Sequence, residues 1–414
     1  MDVFSSLPTS NEHIKCVDMH TSGGPVRIPI QGLPNLTGTL LGQKSQASLP
    51  ENDYIRRRLL LEPRGHDGMY GGILRKDTEL TKSGVADIGI LYIHSGGYSM
   101  MCGHVTLGVS RFLIDTHDPE VFPNREKLRF DTKSLTTELR LHAPCGLLRI
   151  TVPTMPDGKS SDPNRDVSFL SVPSFAAGLD IEVPIETIRK WTELGTRSSI
   201  VVDISFSGAF FAIVSAQELG FANGVKDIRN LEELWPVVNT IRDTISTAPE
   251  LSAYTYLPTS PEPVLVNGVI IRDSTIGQTR EDVSGAEVGI VFVENAIDRS
   301  PCGSGTAARV ALAYAKGERK IGERWAYHSM LSLTSDGQGP FVGSPEEEIV
   351  IPGGKGVGAR GVVVRTEGRA YYTGASIFVL EDIDKISRSG FKIMELSKAL
   401  AGTRRTQHAQ EPGT

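Results

Sequence analysis

Two cysteines in this chain stand in the same short context. Cys102 lies in Met101-Cys102-Gly103-His104-Val105-Thr106, and Cys302 lies in Pro301-Cys302-Gly303-Ser304-Gly305-Thr306. A thiolate is a competent base and a thiol a competent acid. A pair of them at one substrate can therefore remove a proton from one face and return one to the other. Glycine directly after each cysteine lets a ligand approach the backbone closely, which a packed cysteine has no need of. His104 and Asp298, the latter four residues before Cys302, are the titratable neighbours. Taken alone, His104 reads as a satisfied polar side chain and Asp298 as a turn residue before Pro301, so their functional reading depends on the cysteines. Cys16, in the apparent strand Ile14–Met19, and Cys145, before the strand Leu147–Val152, read as small buried hydrophobes. No Cys-x-x-Cys pair or histidine at ligand spacing accompanies the four cysteines, which sets aside a redox dithiol and a zinc ribbon. A disulfide scaffold does not suit a chain of this size in a reducing compartment.

The elements that must position the two cysteines repeat along the chain. The run Ala86-Asp-Ile-Gly-Ile-Leu-Tyr-Ile-His94 aligns with Ala286-Glu-Val-Gly-Ile-Val-Phe-Val-Glu294 at an offset of 200, and the register holds without a gap into both Cys-Gly segments. Each copy reads as strand, turn, Cys-Gly, helix. After Cys102, Val105, Val109, Phe112 and Leu113 form one apolar helical face. After Cys302, the alanine-rich run from Thr306 to Lys316 has little polar face and stops at Gly317, which suits a helix enclosed by strands. Both cysteines then sit at helix N-termini, where free amides and the positive dipole end favour an anion and are expected to lower a thiol pKa from about 8.5 toward neutrality. The amides of Gly103, His104, Gly303 and Ser304 would form a ring of donors suited to a carboxylate.

With 414 residues, the chain exceeds what one hydrophobic core usually holds. Residues 10–195 with a C-terminal helix over 383–401 are expected to form the Cys102 half, and 196–382 the Cys302 half; the polar stretch 403–414 reads as a disordered tail. Forty-three glycines and 24 prolines imply many turns between short β-branched runs, so the class expected is α+β. Helical period marks Ile55–Leu61, Ile185–Leu194 and Asn230–Ser246, the last with a kink or split at Pro236. Lys and Arg number 43 against 49 Asp and Glu, a net charge of −6, which argues against a nucleic-acid partner. No apolar run reaches the ~20 residues of a membrane span. The candidate Ser199–Ala216 carries Asp203 and Gly208, so a membrane partner is not expected. The N-terminus lacks a basic and apolar leader pattern, which points to the cytoplasm.

At these residues the sequence resembles the proline racemase family, which includes hydroxyproline epimerases and trans-3-hydroxy-L-proline dehydratases. The resemblance is carried by Asp18-Met-His-Thr-Ser-Gly-Gly-Pro-Val-Arg-Ile28, Glu62-Pro-Arg-Gly-His-Asp-Gly-Met-Tyr-Gly71, Met101-Cys-Gly-His104, Asp203-Ile-Ser-Phe-Ser-Gly-Ala-Phe-Phe-Ala212, Asp298-Arg-Ser-Pro-Cys-Gly-Ser-Gly-Thr306 and the glycine-rich stretch from Gly361 to Gly374. It runs from about Ile14 to Leu380. It implies the diaminopimelate-epimerase-like fold, two pseudo-symmetric half-domains each with a curved β-sheet around a central helix. It also implies a homodimer, a small imino acid as substrate, and a cofactor-independent reaction with neither metal nor pyridoxal phosphate. By resemblance, His104 and Asp298 hold the substrate's secondary ammonium. Two departures stand out. The family's usual Gly-Gly-Glu-Pro is here Ser22-Gly23-Gly24-Pro25, without the glutamate, and its Gly-Gly is Ser207-Gly208.

The resemblance also frames the reaction. In the dehydratases the second cysteine position is typically threonine, since eliminating a β-hydroxide needs a base on one face only. Cysteine at both 102 and 302 therefore favours inversion of the α-carbon of proline or 4-hydroxyproline, with a slight lean to the latter. Dehydration of trans-3-hydroxy-L-proline is the alternative, and a catalytically silent ligand-binding protein on the same fold is the reading from another class.

Overall fold

A computed structural model describes residues 13–257, 263–293, 296–353, 359–381, 383–386 and 389–393. The apolar runs expected as strands are strands. In the first part of the chain these are β1 (Ile14–Thr21), β2 (Gly24–Gln31), β3 (Tyr70–Arg75), β4 (Ile88–His94), β5 (Gly97–Ser99), β6 (Phe130–Asp131), β7 (Thr136–Ala143), β8 (Gly146–Pro153) and β9 (Val167–Leu170). They are followed by β10 (Phe175–Pro184), β11 (Ser199–Phe206), β12 (Phe210–Ser215), β13 (Gly268–Asp273), β14 (Ala286–Val293), β15 (Ala296–Ile297), β16 (Trp325–His328), β17 (Phe341–Val350), β18 (Arg360–Gly368) and β19 (Ala370–Phe378). The helices are α1 (Leu40–Ala47), α2 (Tyr54–Leu60), α3 (Glu79–Lys82), α4 (Gly103–Asp115), α5 (Trp235–Thr247), α6 (Pro249–Ser252), α7 (Gly303–Ala315) and α8 (Met330–Thr334).

The strand ladder repeats itself. One set of pairings runs β19-β1-β2-β3-β4-β7-β8-β9. The other runs β10-β11-β12-β13-β14-β16-β17-β18. In both, the third strand pairs with the fourth in parallel and the fifth with the sixth in parallel, and every other step is antiparallel. Among the described residues, one antiparallel strand pairing, β9 to β18, joins the two sets, with Arg365 opposite Leu170. The expected α+β architecture of two like halves is therefore present, each with a curved sheet packed around a central helix, α4 in one and α7 in the other. Val105, Val109, Phe112 and Leu113 of α4 lie in the first core with Met19, Val26, Ile88, Ile150 and Phe169. Ala308 and Leu312 of α7 pack with Phe211, Ile270 and Val291, and Ala307, Val310 and Ala311 pack with Tyr327, Val362 and Val364.

The pairing moves the expected boundaries. β10 adds to β11 and so belongs to the Cys302 half, which places the crossover after Leu170 rather than at residue 195. The outermost strand of the Cys102 half is β19, contributed from the far end of the chain, with Ile14 opposite Phe378. Residues 370–378 therefore leave the 196–382 unit. The cause is topological: each half needs an outer strand antiparallel to its next one, and the first half draws it from the C-terminus.

Three helix expectations also change. Ile185–Leu194 forms two short 3₁₀ turns, Thr187–Arg189 and Thr192–Leu194. The backbone breaks between them because Ile185 and Leu194 are buried and the Trp191 indole donates to the Leu219 carbonyl at 2.8 Å. Pro236 starts a helix instead of kinking one: a 3₁₀ turn over Leu231–Leu234 leads into α5, and proline in the first turn gives up no helical bond. The described residues between 383 and 393 form no extended helix. Phe391 bridges Glu62, and Arg57 donates to the carbonyls of Ser389 and Gly390, so this segment lies against the Cys102 half. The rest of the expected C-terminal helix, 394–401, and the tail 403–414 lie outside the described residues. Among the described residues no helix is long and apolar enough to cross a membrane.

Candidate active site

The two central helices start against each other. Cys102 is the residue before α4 and Cys302 the residue before α7. A methyl group on Gly103 would come within 2.4 Å of the Gly303 Cα, and one on Gly303 within 2.5 Å of the Gly103 Cα. Only glycine permits this approach, which accounts for the Cys-Gly step in both copies. The helical bonding of each begins with the fourth residue after the cap, Thr106 N–H to the Cys102 carbonyl at 2.9 Å and Thr306 N–H to that of Cys302 at 2.7 Å. The preceding amides have no helical acceptor. A cavity of about 40 Å³ at this junction is lined by all seven residues singled out in the sequence: Cys102, Gly103, His104, Asp298, Cys302, Gly303 and Ser304. Two larger clefts, of about 700 and 770 Å³, contain neither cysteine; the second reaches the outer side of Asp298.

On the first side, the Cys102 sulfur lies 3.5 Å from His104 Nδ1. The His104 ring packs edge-on against Tyr70, with centroids 4.8 Å apart, and its Nδ1 is 4.0 Å from an Asp298 oxygen. Burial holds the imidazole below its usual 6.5, against the pull of Asp298 and of a hydrogen bond to the Pro25 backbone. His104 is therefore neutral at pH 7 and one of its ring nitrogens is an acceptor. Gly24, where the family's glutamate is missing, lies on this ring: a Cβ there would meet it at 3.0 Å. The lost side chain is thus replaced by direct packing of the strand on His104. The other departure is local: Gly208 adopts a φ of +76°, and Ser207 accepts a bond from Ser174 at 2.9 Å.

On the second side, Asp298 leads by a short relay to Cys302. The Ser300 hydroxyl donates to Asp298 Oδ1 at 2.8 Å, the Ser300 amide donates to the same oxygen at 2.9 Å, and the Cys302 amide donates to the Ser300 hydroxyl at 3.2 Å. Cys302 itself has φ +64°, a conformation that costs a non-glycine residue of order 1–3 kcal/mol. The helix-end expectation for its thiol is overturned. Burial pushes Cys302 up to about 12, with the Asp298 charge adding to it, while the Gly305 amide, the Ser304 hydroxyl and Arg309 pull the other way. Cys302 is 6% exposed, and at that depth desolvation outweighs the donors of one helix start.

Cys16 and Cys145 are pushed up to about 12 by burial and stay outside the cavity, as small hydrophobes do. Sequence reasoning missed Ser300 and the walls of the cavity: Tyr70, His94, Ser99, Met101, Phe211, Asn267 and Val293. Tyr70, Met101 and Phe211 lie inside motifs and Ser300 sits between Asp298 and Cys302, so adjacency was a usable signal for those four. Among the described residues, no three His, Cys, Asp or Glu side chains converge as a metal site.

A repeated eight-strand ladder, a helix within each copy, and two cysteines where the helices meet define a protein of the diaminopimelate-epimerase-like class. Within that class, the chain belongs to the proline racemase family, whose sequence model matches residues 16–392. It is 33% identical to a proline racemase of Clostridioides difficile, over 91% of this chain and 97% of that protein. It is equally, 33%, identical to a trans-L-3-hydroxyproline dehydratase of Pongo abelii, over 91% of this chain and 94% of that one. Among solved structures, a hydroxyproline epimerase from Agrobacterium vitis, with bound trans-4-hydroxy-L-proline, superposes with a TM-score of 0.70 at 21% identity, covering 95% of this chain and 99% of that one.

Proposed function

We propose that this protein inverts the α-carbon of proline or 4-hydroxyproline by two-base proton transfer between Cys102 and Cys302. The observation that carries the reading is that both cysteines cap facing helices and line one cavity. One sulfur, as thiolate, takes the α-proton. The Cα–H electron pair passes into the carboxylate, and the other sulfur, as thiol, delivers its proton to the opposite face, so the thiol and thiolate exchange places. The high proton affinity of Cys302 suits it to the donating role in the resting enzyme. The amides of Gly103, His104, Gly303 and Ser304 receive the carboxylate, whose charge grows in the transition state. Neutral His104 and the Asp298 carboxylate hold the secondary ammonium; that cation offsets the Asp298 charge that otherwise raises Cys302.

Dehydration of trans-3-hydroxy-L-proline is favoured by the equal identity to a dehydratase. Elimination needs only one base, however, and leaves the Cys302 thiol without a task. The deciding test is polarimetry in D₂O with L-proline, trans-4-hydroxy-L-proline and trans-3-hydroxy-L-proline. Epimerisation predicts decay of optical rotation with deuterium entering Cα of the product. A pyrroline signal confined to the 3-hydroxy compound identifies the dehydratase instead, and no turnover of any of the three identifies a binding protein.

A further inference from the structure

We infer that Ser99 reads a ring hydroxyl, so that the site is built for a hydroxylated imino acid in preference to proline itself. This inference rests on the proposed function and concerns the part of the substrate that the chemistry leaves unassigned. With the carboxylate turned to the helix amides and the ammonium to His104 and Asp298, the distal ring carbons face the remaining walls. Those walls are apolar at Met101, Phe211 and Val293 and polar at Tyr70, His94, Ser99 and Asn267. The Ser99 Oγ is buried, on a residue half-buried as a whole, and has no hydrogen-bond partner among the described residues. It is carried on β5, opposite Tyr92, three residues before Cys102, and is therefore fixed relative to the reacting sulfur by a hairpin rather than by a loop.

A buried hydroxyl without a partner is costly and uncommon in a native fold. Proline has only methylene groups to place beside it and would leave it unsatisfied. A ring hydroxyl can accept its proton or donate to its oxygen. Sites that hydrogen-bond a substrate hydroxyl discriminate strongly against the analogue lacking one, whereas apolar pockets tolerate both. The unpaired oxygen thus separates two substrates that the two-cysteine chemistry treats alike.

The test is the ratio of kcat/KM for trans-4-hydroxy-L-proline to that for L-proline, measured on the wild-type enzyme and on Ser99→Ala and Ser99→Thr. The wild type is expected to prefer the hydroxylated substrate. Ser99→Ala should lower the ratio by about tenfold or more, and Ser99→Thr, which keeps the hydroxyl, should retain most of it. A wild-type ratio at or below one overturns the inference, as does a Ser99→Ala variant that slows both substrates alike. If the wild type inverts neither substrate, it is the proposed function that fails.

Discussion

The two helix starts share a backbone plan and differ in what surrounds it. At the Cys102 start the residue is extended, with φ −147°, and the carbonyl of Cys102 accepts from the Thr106 hydroxyl at 2.9 Å, which is itself bonded to the Tyr92 hydroxyl at 2.6 Å. At the Cys302 start φ is +64°, and the equivalent of Val109 is a buried arginine. Arg309 is 2% exposed; it lies 3.2 Å from Glu287, donates to the Pro301 carbonyl at 3.1 Å and stacks on Tyr327. The counterpart of Glu287 in the other half, Asp87, instead pairs with the half-exposed Arg140 on the surface. In the proposed inversion, the two faces of one carbon would thus be served by two unlike sides. In that proposal the common parts, Cys-Gly and the free amides, set where the substrate sits. The unlike parts bear on the proton affinity of Cys302, through Asp298 and Arg309, and clamp that strained cysteine in place.

The largest expected effect tests whether both sides are needed. Cys102→Ser and Cys302→Ser should each reduce turnover by about 10²–10⁴-fold, the scale of an acid–base group. Each variant keeps one base, so each should still exchange the α-proton of one enantiomer with D₂O without inversion, and the two should act on opposite enantiomers. Proton NMR of L and D substrate reads this directly. Exchange of the same enantiomer by both variants would break the assignment of one sulfur to each face.

A second test addresses the buried pair that only the Cys302 side contains. Arg309→Leu leaves Glu287 charged and unpaired in the core and should cost about 3–5 kcal/mol in urea unfolding, whereas removing both charges as Arg309→Leu with Glu287→Leu should return most of that loss. The double variant still lacks the donor to the Pro301 carbonyl, so its turnover should stay depressed while its stability recovers. Recovery of both together would mean that the arginine serves the fold alone.

How much of this was readable in advance follows from where the information resides. The facing cysteines were legible because the repeat is written in side chains: Ile88–Ile93 and Val288–Phe292 are both buried, apolar and in register, and each run leads in the same spacing to a Cys-Gly step that lets the helices touch. The exchange of β19 into the Cys102 half was not legible. Residues 370–378 alternate no differently from any other edge strand, and their partner begins more than three hundred residues earlier, at Ile14. The wall proposed to face the ring was hidden at Ser99 and Asn267, which come from a hairpin strand and a loop with no common spacing. The thiol pKa was misjudged for a physical reason: a helix start is visible in sequence, but the depth of burial that outweighs it at Cys302 is a property of the packed halves.

The smallest effect expected concerns the cavity position where the repeat exchanges a histidine for a serine, His104 against Ser304. Both line the cavity, yet only the Cys102 side can respond to pH between 5 and 7. Burial holds His104 below 6.5 in the folded protein, so as pH falls past 6.5 the unfolded chain takes up a proton before the folded one does. Stability contributed by the neutral ring is therefore present above 6.5 and is lost as pH falls through the lower folded value. Burial holds His20, His66, His142 and His328 low as well, so the informative quantity is a difference between proteins. In urea unfolding at pH 7 and pH 5, the wild type should lose more stability on acidification than His104→Asn, since the other histidines contribute equally to both. The acid limb of the wild-type pH–rate profile should likewise lie below 6.5, because a protonated ring cannot accept the substrate's ammonium hydrogen. An identical acid response in the two proteins would mean that the imidazole is already charged in the fold, and the contrast between the two helix starts would then be steric only.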